Sequence, residues 1–496
     1  MMRNKYNIIL VCLLTLAFSG LYAQQDTVYL NLEDALELAK VQSADAMNAK
    51  HRFRMNYWQY RSFKADYLPS VTLDANLPSF SRAYNPVTQP DGSVSFEYNT
   101  VNYFTSAMTI QQKIGPTGGS VYLRSSLQRQ DNIYDTNTSS SYQSTPVVIG
   151  YTQPIFKYNE YRWARQLEPI KYEKAKRQYL EDVEQVAINT VDKFFNLLLA
   201  QIEIDIAKKN LNNYDTMYRI AKGRYQLGKI AETDLLMLEL SYLRANSQVD
   251  RANLDYENQL FNLKSFLRIK NSSEIKLVPP AETWHGEIKP AEALGQAKLN
   301  TSTFLEFKER QLNAESQVRQ AKMNERFDAD LYLEYGLTQS SDEISNVYQN
   351  PLDQQQINLG VSVPILDWGK AKGQIKMAES QYELVQTSIE QENIDAEQNV
   401  FLRVMEFNMQ KDQLYIAAKS DTVAQKRYDV TRKRYMIGQT IDILELNDAQ
   451  IANDNEKKGY YSTLQQYWRN YFELRKLTLY DFMDNKLLIF DIRDVL

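Results

Sequence analysis

Apolar positions along this chain follow two periods, and the switches between them divide it into elements. Leu32, Leu36 and Ala39 stand at helical spacing in a stretch running from Leu32 to Tyr67. Leu68-Pro69 ends that stretch, because the residue before a proline is driven out of the α region. The period then falls to two. Val71, Leu73, Ala75 and Leu77 alternate with Thr72, Asp74 and Asn76, as a strand with one apolar face requires. The polar stretch from Pro78 to Thr100 reads as a loop. Further alternating segments cover Phe104 to Ile114, Val121 to Gln128 and Val147 to Thr152. Between them lie the turn Gly115-Pro116-Thr117-Gly118-Gly119 and a second polar loop, Gln130 to Thr145.

The helical period returns from Tyr161 to Leu227, with Val183, Val186, Ala187, Thr190, Phe194, Leu197 and Leu198 on one face. A helix of that extent would be about 100 Å long. Gly228 is placed to end it with a left-handed cap. Asp234 to Leu267 reads as a shorter return helix, and a proline-bearing linker, 271–290, leads into a second series. That series has a helix from Ala291 to Arg326, strands at Leu331–Leu337 and Ile357–Val363 around a polar loop (340–354), and another very long helix. Along it Ile375, Ala378, Tyr382, Val385 and Ile389 step by three and four, the spacing of a coiled-coil seam. Gly438 ends it, and Asp442 to Leu479 return.

The two series are copies. Pro154 and Pro364, Tyr172 and Tyr382, Tyr218 and Tyr428, Arg224 and Arg434, Tyr225 and Tyr435, and Gly228 and Gly438 are each separated by 210 residues. A fixed displacement carried by several residue types marks an internal duplication. The chain therefore divides into a leader (1–23), a first repeat (24–270), a linker (271–290), a second repeat (291–479) and a tail (480–496).

The leader reads as a signal peptide, with Arg3 and Lys5 before an apolar run from Ile8 to Phe18 and small residues from Ser19 to Ala23. It holds Cys12, the only cysteine, so the exported chain would have no thiol chemistry. Gly (16) and Pro (13) are scarce among 496 residues, which favours long helices. The net charge is −5, with no isolated Lys/Arg block, so nothing points to nucleic acid. No later apolar run is long enough for a transmembrane helix. His51 and His285 have no ligand cluster around them, and nucleophile, phosphate-loop and dinucleotide motifs are absent, so neither an enzyme nor a cofactor is expected. An exported chain with amphipathic strands and no apolar helix can cross only an outer membrane. There its strands must close into a barrel, and one chain offers too few, so several copies would share one. A soluble periplasmic coiled-coil scaffold would explain the helices but leave the alternating strands without a purpose.

Four short motifs carry a resemblance: Gln153-Pro154-Ile155-Phe156, Val363-Pro364-Ile365-Leu366, Arg224-Tyr225-Gln226-Leu227-Gly228 and Arg434-Tyr435-Met436-Ile437-Gly438. In their order and duplication the chain resembles the TolC family of outer-membrane efflux channels over essentially all of the sequence after the leader. The resemblance implies an α+β membrane protein in the outer membrane of a Gram-negative bacterium, with a large periplasmic portion. It implies a homotrimer whose shared transmembrane β-barrel takes four strands per copy and continues into an α-helical periplasmic tunnel. It further implies a passive conduit of a tripartite efflux or type I secretion system. Such a conduit would dock a periplasmic adaptor and, through it, an inner-membrane pump of the RND or ABC type.

By the same resemblance Tyr435, Asp442, Glu445, Thr233 and Asp234 would form the periplasmic aperture. Arg224, Gly228, Arg434 and Gly438 would mark the adaptor-docking tips, and Pro154 and Pro364 the strand-to-helix passages. Three copies of each acid around an axis would favour cations. The acids also read as caps, Asp442 with Glu445 as an N-cap and N3 pair, and Thr233 or Asp234 on the return helix. Tyr103, Tyr332, Tyr335 and Tyr348 would join an interfacial belt. The chain departs from the family in three places. The first repeat has four alternating segments instead of two, on account of the hairpin at Gly115 to Gly119. The second tip is shorter, with three residues between Gly438 and Asp442 against five between Gly228 and Asp234. Thr440 stands where the family has a basic gate residue.

Overall fold

Helices form where the three-and-four spacing is unbroken, and their bounds repeat. In the computed structural model, which describes residues 27–133, 138–269, 274–280, 283–284, 286–437 and 443–495, two helices are 67 residues long. These are α3 (Glu160–Gln226) and α7 (Lys370–Met436), and they start 210 residues apart. Their return helices, α4 (Glu232–Leu267) and α8 (Ile443–Thr478), are each 36 residues long and start 211 apart. The leader with Cys12, His285, and Gly438, Thr440 and Asp442 of the second tip lie outside the described residues.

The helices expected at Leu32 to Tyr67 and Ala291 to Arg326 are each divided in two. The first pair is α1 (Leu32–Gln42) and α2 (Ala44–Ala65), and the second is α5 (Pro290–Asn300) and α6 (Ser302–Asn324). The breaks fall at Ser43 and Thr301, both extended at ψ 151° and 160° and both buried. Ser43 Oγ accepts from the Ala46 amide at 3.1 Å, and Thr301 Oγ1 donates to the Ala297 carbonyl at 2.7 Å. A hydroxyl that satisfies backbone groups locally allows a helix to stop and restart, and apolar periodicity does not register it.

Two compact units divide the chain: 1–52, 177–301 and 396–496 in the first, and 53–176 and 302–395 in the second. In the first unit β1 (Thr27–Leu30) pairs in parallel with β6 (Glu274–Leu277), and β9 (Tyr480–Asp481) pairs with β10 (Lys486–Leu487). Its core holds Phe194, Phe195, Leu197, Leu198, Leu263 and Leu267, all fully buried. Phe407 stacks on Trp284 and lies 5.4 Å from Tyr467 and 5.9 Å from Tyr471, centroid to centroid. Beside this cluster Arg475 is held between two buried carboxylates, Glu184 at 2.9 Å and Asp481 at 3.0 Å.

The second unit carries an antiparallel six-stranded sheet in the order β2-β3-β4-β5-β7-β8. Its strands are β2 (Ser70–Thr88), β3 (Val94–Ile114), β4 (Gly119–Ile133), β5 (Thr138–Ile155), β7 (Asp328–Ser341) and β8 (Leu352–Ser362). The stretch expected as a loop from Pro78 to Thr100 is therefore mostly a hairpin, Ser79 pairing with Tyr103 and Thr88 with Val94. The loop expected at Gln130 to Thr145 likewise narrows, with Ile133 facing Thr138. In the first segment Phe80, Tyr84, Val94, Phe96 and Tyr98 do stand at even spacing, but Pro78, Pro86 and Pro90-Asp91-Gly92 are turn residues that hide the two strands.

The bounds also locate the extra strands. Across α1/α5 and α2/α6 the displacement is 258 residues, and across α3/α7 it is 210, so the first repeat holds 48 more residues between its short helices and its long one. Gly119, where β4 begins, lies 209 residues before Asp328, where β7 begins. The insertion is therefore the β2–β3 hairpin. The turn at Gly115 to Gly119, which was expected to be its centre, instead joins the insertion to β4.

Candidate functional site

At the first tip α3 ends in a left-handed turn on Gly228 (φ 66°). The Gly228 amide donates to the Tyr225 carbonyl at 2.8 Å and the Lys229 amide to Arg224 at 2.9 Å, which satisfies carbonyls that a helix end leaves open. Among the described residues nothing lies within 4 Å of a Cβ built on Gly228, and its positive backbone angle calls for glycine there. The N-cap of α4 is Ala231, which makes no side-chain cap. Thr233 and Asp234 sit in the first helical turn and so do not act as the N-cap that the sequence allowed. Counting from the helix starts, Asp234 and Glu445 both occupy the third position. Five residues separate α3 from α4, whereas the second tip, with the three residues expected between Gly438 and Asp442, lies outside the described residues.

The structure brings Arg224, Asp234 and Tyr435 together. The Arg224 guanidinium lies 5.1 Å from the centre of the Tyr435 ring and donates through Nη2 to the Tyr435 carbonyl at 3.3 Å. Tyr435 is only 5% exposed, in an apolar cluster with Met217, Ala221, Leu238, Tyr428, Ile443, Leu446 and Ala449. Burial pushes its hydroxyl above the usual value, Arg224 pulls it down and Asp234 pushes it up. Within one chain, then, Tyr435 joins the two tips and is not presented at a surface. Thr233, Arg434 and Glu445 are exposed, and Asp234 is half-buried. Below this cluster polar side chains tie α3 to α7 and α8. Asn213 Nδ2 donates to the Tyr428 hydroxyl at 3.0 Å, Tyr214 donates to Asn447 at 3.1 Å and Asn210 to Asp454 at 2.6 Å. Burial, with a contribution from Asp454, pushes the Tyr214 hydroxyl up to about 12.

The expected coiled-coil seam on α7 is present. Ile375, Ala378, Tyr382, Val385 and Ile389 are half-buried, and Val400, Val404, Phe407 and Leu414 continue it as buried residues. A second row was not read from the sequence. Leu402, Met409, Ile416, Val423, Val430 and Ile437 recur every seventh residue and are all exposed, by 49% to 73%. On α4 Leu236, Leu240, Leu243, Leu254 and Phe261 are also exposed, without a strict seven-residue spacing. Strict seven-residue recurrence was the available signal, and the in-chain seam beside it masked it.

The sheet has two unlike faces. Val71, Ile110, Leu123, Ile149 and Tyr335 stand in one row of opposed residues, and Val121, Tyr151, Leu333 and Ile357 in the next. The other face carries Thr72, Thr109 and Arg124 in one row, Gln111, Tyr122, Glu334 and Gln356 in another, and Lys113, Ser120, Thr152, Tyr332 and Asn358 in a third. On this polar face the Tyr122 hydroxyl lies 2.7 Å from that of Tyr332 and donates to Glu334 at 2.8 Å. Gly150 makes room for the Tyr122 ring, since a Cβ there would lie 2.0 Å from it. Tyr122 and Tyr332 stand 210 residues apart, so the repeat offset would have paired them.

Pro154 closes β5 opposite Asp330, and Phe156 beyond it adopts φ 68° and packs on Phe327 at 4.8 Å. Lys157 bridges Asp330 at 2.6 Å and Asp328 at 3.2 Å. Pro364 follows β8, and Asp367 caps α7 by accepting from the Ala371 amide at 2.8 Å. Both prolines thus stand where strand passes to helix. Tyr335 lies on the apolar face, whereas Tyr332 and Tyr103 lie on the polar one.

The outer membrane efflux protein family model matches residues 119–267 and 293–478, well over half the chain. The match starts at the first residue of β4, so β2 and β3 lie outside it. Toxin and drug export protein A of Aggregatibacter actinomycetemcomitans is 21% identical over 344 residues, 68% of this chain and 72% of that protein. Outer membrane protein TolC of Escherichia coli is 24% identical over 378 residues, 72% of each. The CmeC outer membrane channel of Campylobacter jejuni shares the fold, with a TM-score of 0.65 at 16% identity, over 93% of this chain and 88% of that one. With both of its repeats matched, the chain belongs to the outer membrane efflux protein family.

Proposed function

We propose that this outer-membrane efflux protein is a passive duct that three copies build together. The two-faced sheet is the observation that carries the reading. An apolar face suits lipid, a polar face with Tyr122, Glu334, Arg124 and Lys113 suits a water-filled lumen, and lipid tolerates such a sheet only when its edges are closed. The exposed heptad row on α7 supports packing between copies, because a row that is apolar every seventh residue is a coiled-coil surface lacking its partner. The tips would meet a periplasmic adaptor and, through it, an inner-membrane pump of the RND or ABC type, as in tripartite efflux or type I secretion. The pump supplies energy and choice of cargo, and the duct does no chemistry.

In this reading Asp442 and Glu445 ring the periplasmic aperture with Asp234 and Thr233, and the Arg224–Tyr435 contact holds each copy's two tips together behind them. Three-fold repetition of these acids would concentrate negative potential at the narrowest point. The purified protein in planar bilayers should give discrete conductance steps with cation preference. Asp442→Asn combined with Glu445→Gln should change the conductance or weaken the preference. Steps unaltered in both respects would remove these acids from the aperture, and the absence of any steps would sink the duct.

A further inference from the structure

The inserted β2–β3 hairpin is not an appendage. Its lower rows continue the apolar and polar faces of the family's four strands, with Leu73 opposite Met108 and Val71 opposite Ile110 on one side, and Thr72 opposite Thr109 on the other. β2 and β8 are the sheet's two edges, and their side chains are exposed almost throughout. Edge strands present unpaired backbone groups and are templates for pairing, and in lipid they cannot be left open. We propose that β2 of one copy pairs with β8 of the next, so that each copy contributes six strands and the duct is wider than four strands per copy would make it.

The bulges and the chain direction fit this pairing. Along β2 the regular ladder runs from Ser70 to Asn76 and is then broken by a bulge before Ser79. Pro78 sits in that bulge and has no amide hydrogen to give a neighbour. A second bulge, between Ser144 and Val148 on β5, contains Pro146. Bulges mark the rims of barrels. Below them the free edge of β2 is seven residues long, Ser70 to Asn76, and can pair with most of the 11 residues of β8, which match the roughly 9–11 that span an outer membrane. β2 starts just after α2, and β8 ends shortly before α7, so the two edges run antiparallel if both helices lie on the periplasmic side. Beyond the bulges, Ser79–Thr88 with its partner strand would stand outside the bilayer. The proposal rests on the three-copy reading above. Six strands from each of three copies close at about eighteen, and barrel diameter grows roughly linearly with strand number, so the opening is about twice the area that twelve strands enclose.

Cysteine pairs test it in intact outer membranes, with the only native cysteine, Cys12, replaced by serine. Thr72→Cys or Asp74→Cys on the lumen face of β2 would be combined in turn with Gln356→Cys, Asn358→Cys or Gly360→Cys on the same face of β8. Ser120→Cys on β4 with the same β8 set is the comparison. At least one β2–β8 combination should form covalent dimers and trimers on oxidation, and the β4–β8 set should form none. Cross-linking from β4 to β8 would overturn the proposal, because β4 would then be the edge and the hairpin would lie outside the ring. A trimeric particle in which no β2–β8 pair links would overturn it equally. The mass of the detergent-solubilised complex reads the copy number separately. A different mass with β2–β8 links supports the seam and overturns only the three-copy count.

Discussion

Arg475 shows how one side chain holds a buried cluster in the first unit. Its guanidinium serves Glu184 and Asp481 and lies 5.7 Å from the ring centre of Tyr471 and 5.3 Å from that of Phe472. Arg475→Met would leave two buried carboxylates without their cation, which costs about 3–5 kcal/mol. A clear drop in the unfolding temperature of the helical signal is expected. Burial works to raise the Asp481 carboxyl, but the Tyr471 hydroxyl and Arg475 outweigh it and hold it below its ordinary 3.8. Its contribution is therefore present above pH 3.8 and lost as the pH falls below that. The stability gap between the native chain and Asp481→Asn should close on acidification through that range. Nothing in the spacing of residues 184, 475 and 481 announces the cluster, because it joins distant parts of the chain. Tyr435 is similar. The repeat offset singled it out, yet its burial follows from Leu238, Ile443 and Leu446 reaching it from two other helices.

The long helices were legible almost to the residue, because period 3.6 and a terminal glycine are local signals. The strands were legible where alternation was free of turn residues, and in the Pro78 to Thr100 hairpin Pro78, Pro86 and Pro90-Asp91-Gly92 hid it. The exposed row on α7 leads to a direct prediction. Ile416→Asp with Val423→Asp places charges in the middle of that row without touching the buried seam of Val404, Phe407 and Leu414. Monomers with normal helix content should appear in detergent, as read by mass and circular dichroism. Trimers of undiminished stability would show that the row faces something other than a second copy.

For the assembled duct, the tips are where partners would be read. Leu227→Glu beside Gly228, an exposed position (72%), and Gln439→Lys beside Gly438 should each impair efflux while the trimers persist. A quantitative export assay on cells carrying these variants checks this, and normal export would count against docking at the tips. Family membership rests on β4 onward and on the second repeat, and the widening hairpin lies outside that match. The β2–β3 hairpin, which lies outside that match, is thus part of the same six-stranded sheet as the matched strands.

The sequence alone established the duplication, the four long helices, the glycine end of the first tip and the strand-to-helix prolines. Each of these is written in neighbouring residues or in a constant offset. Only the tertiary structure decided which strands are neighbours, that β2 and β8 are the edges, and that Tyr435 is buried under Arg224. These depend on contacts between residues far apart in the chain, where backbone pairing and packing across helices choose the partner and local pattern carries no record of the choice.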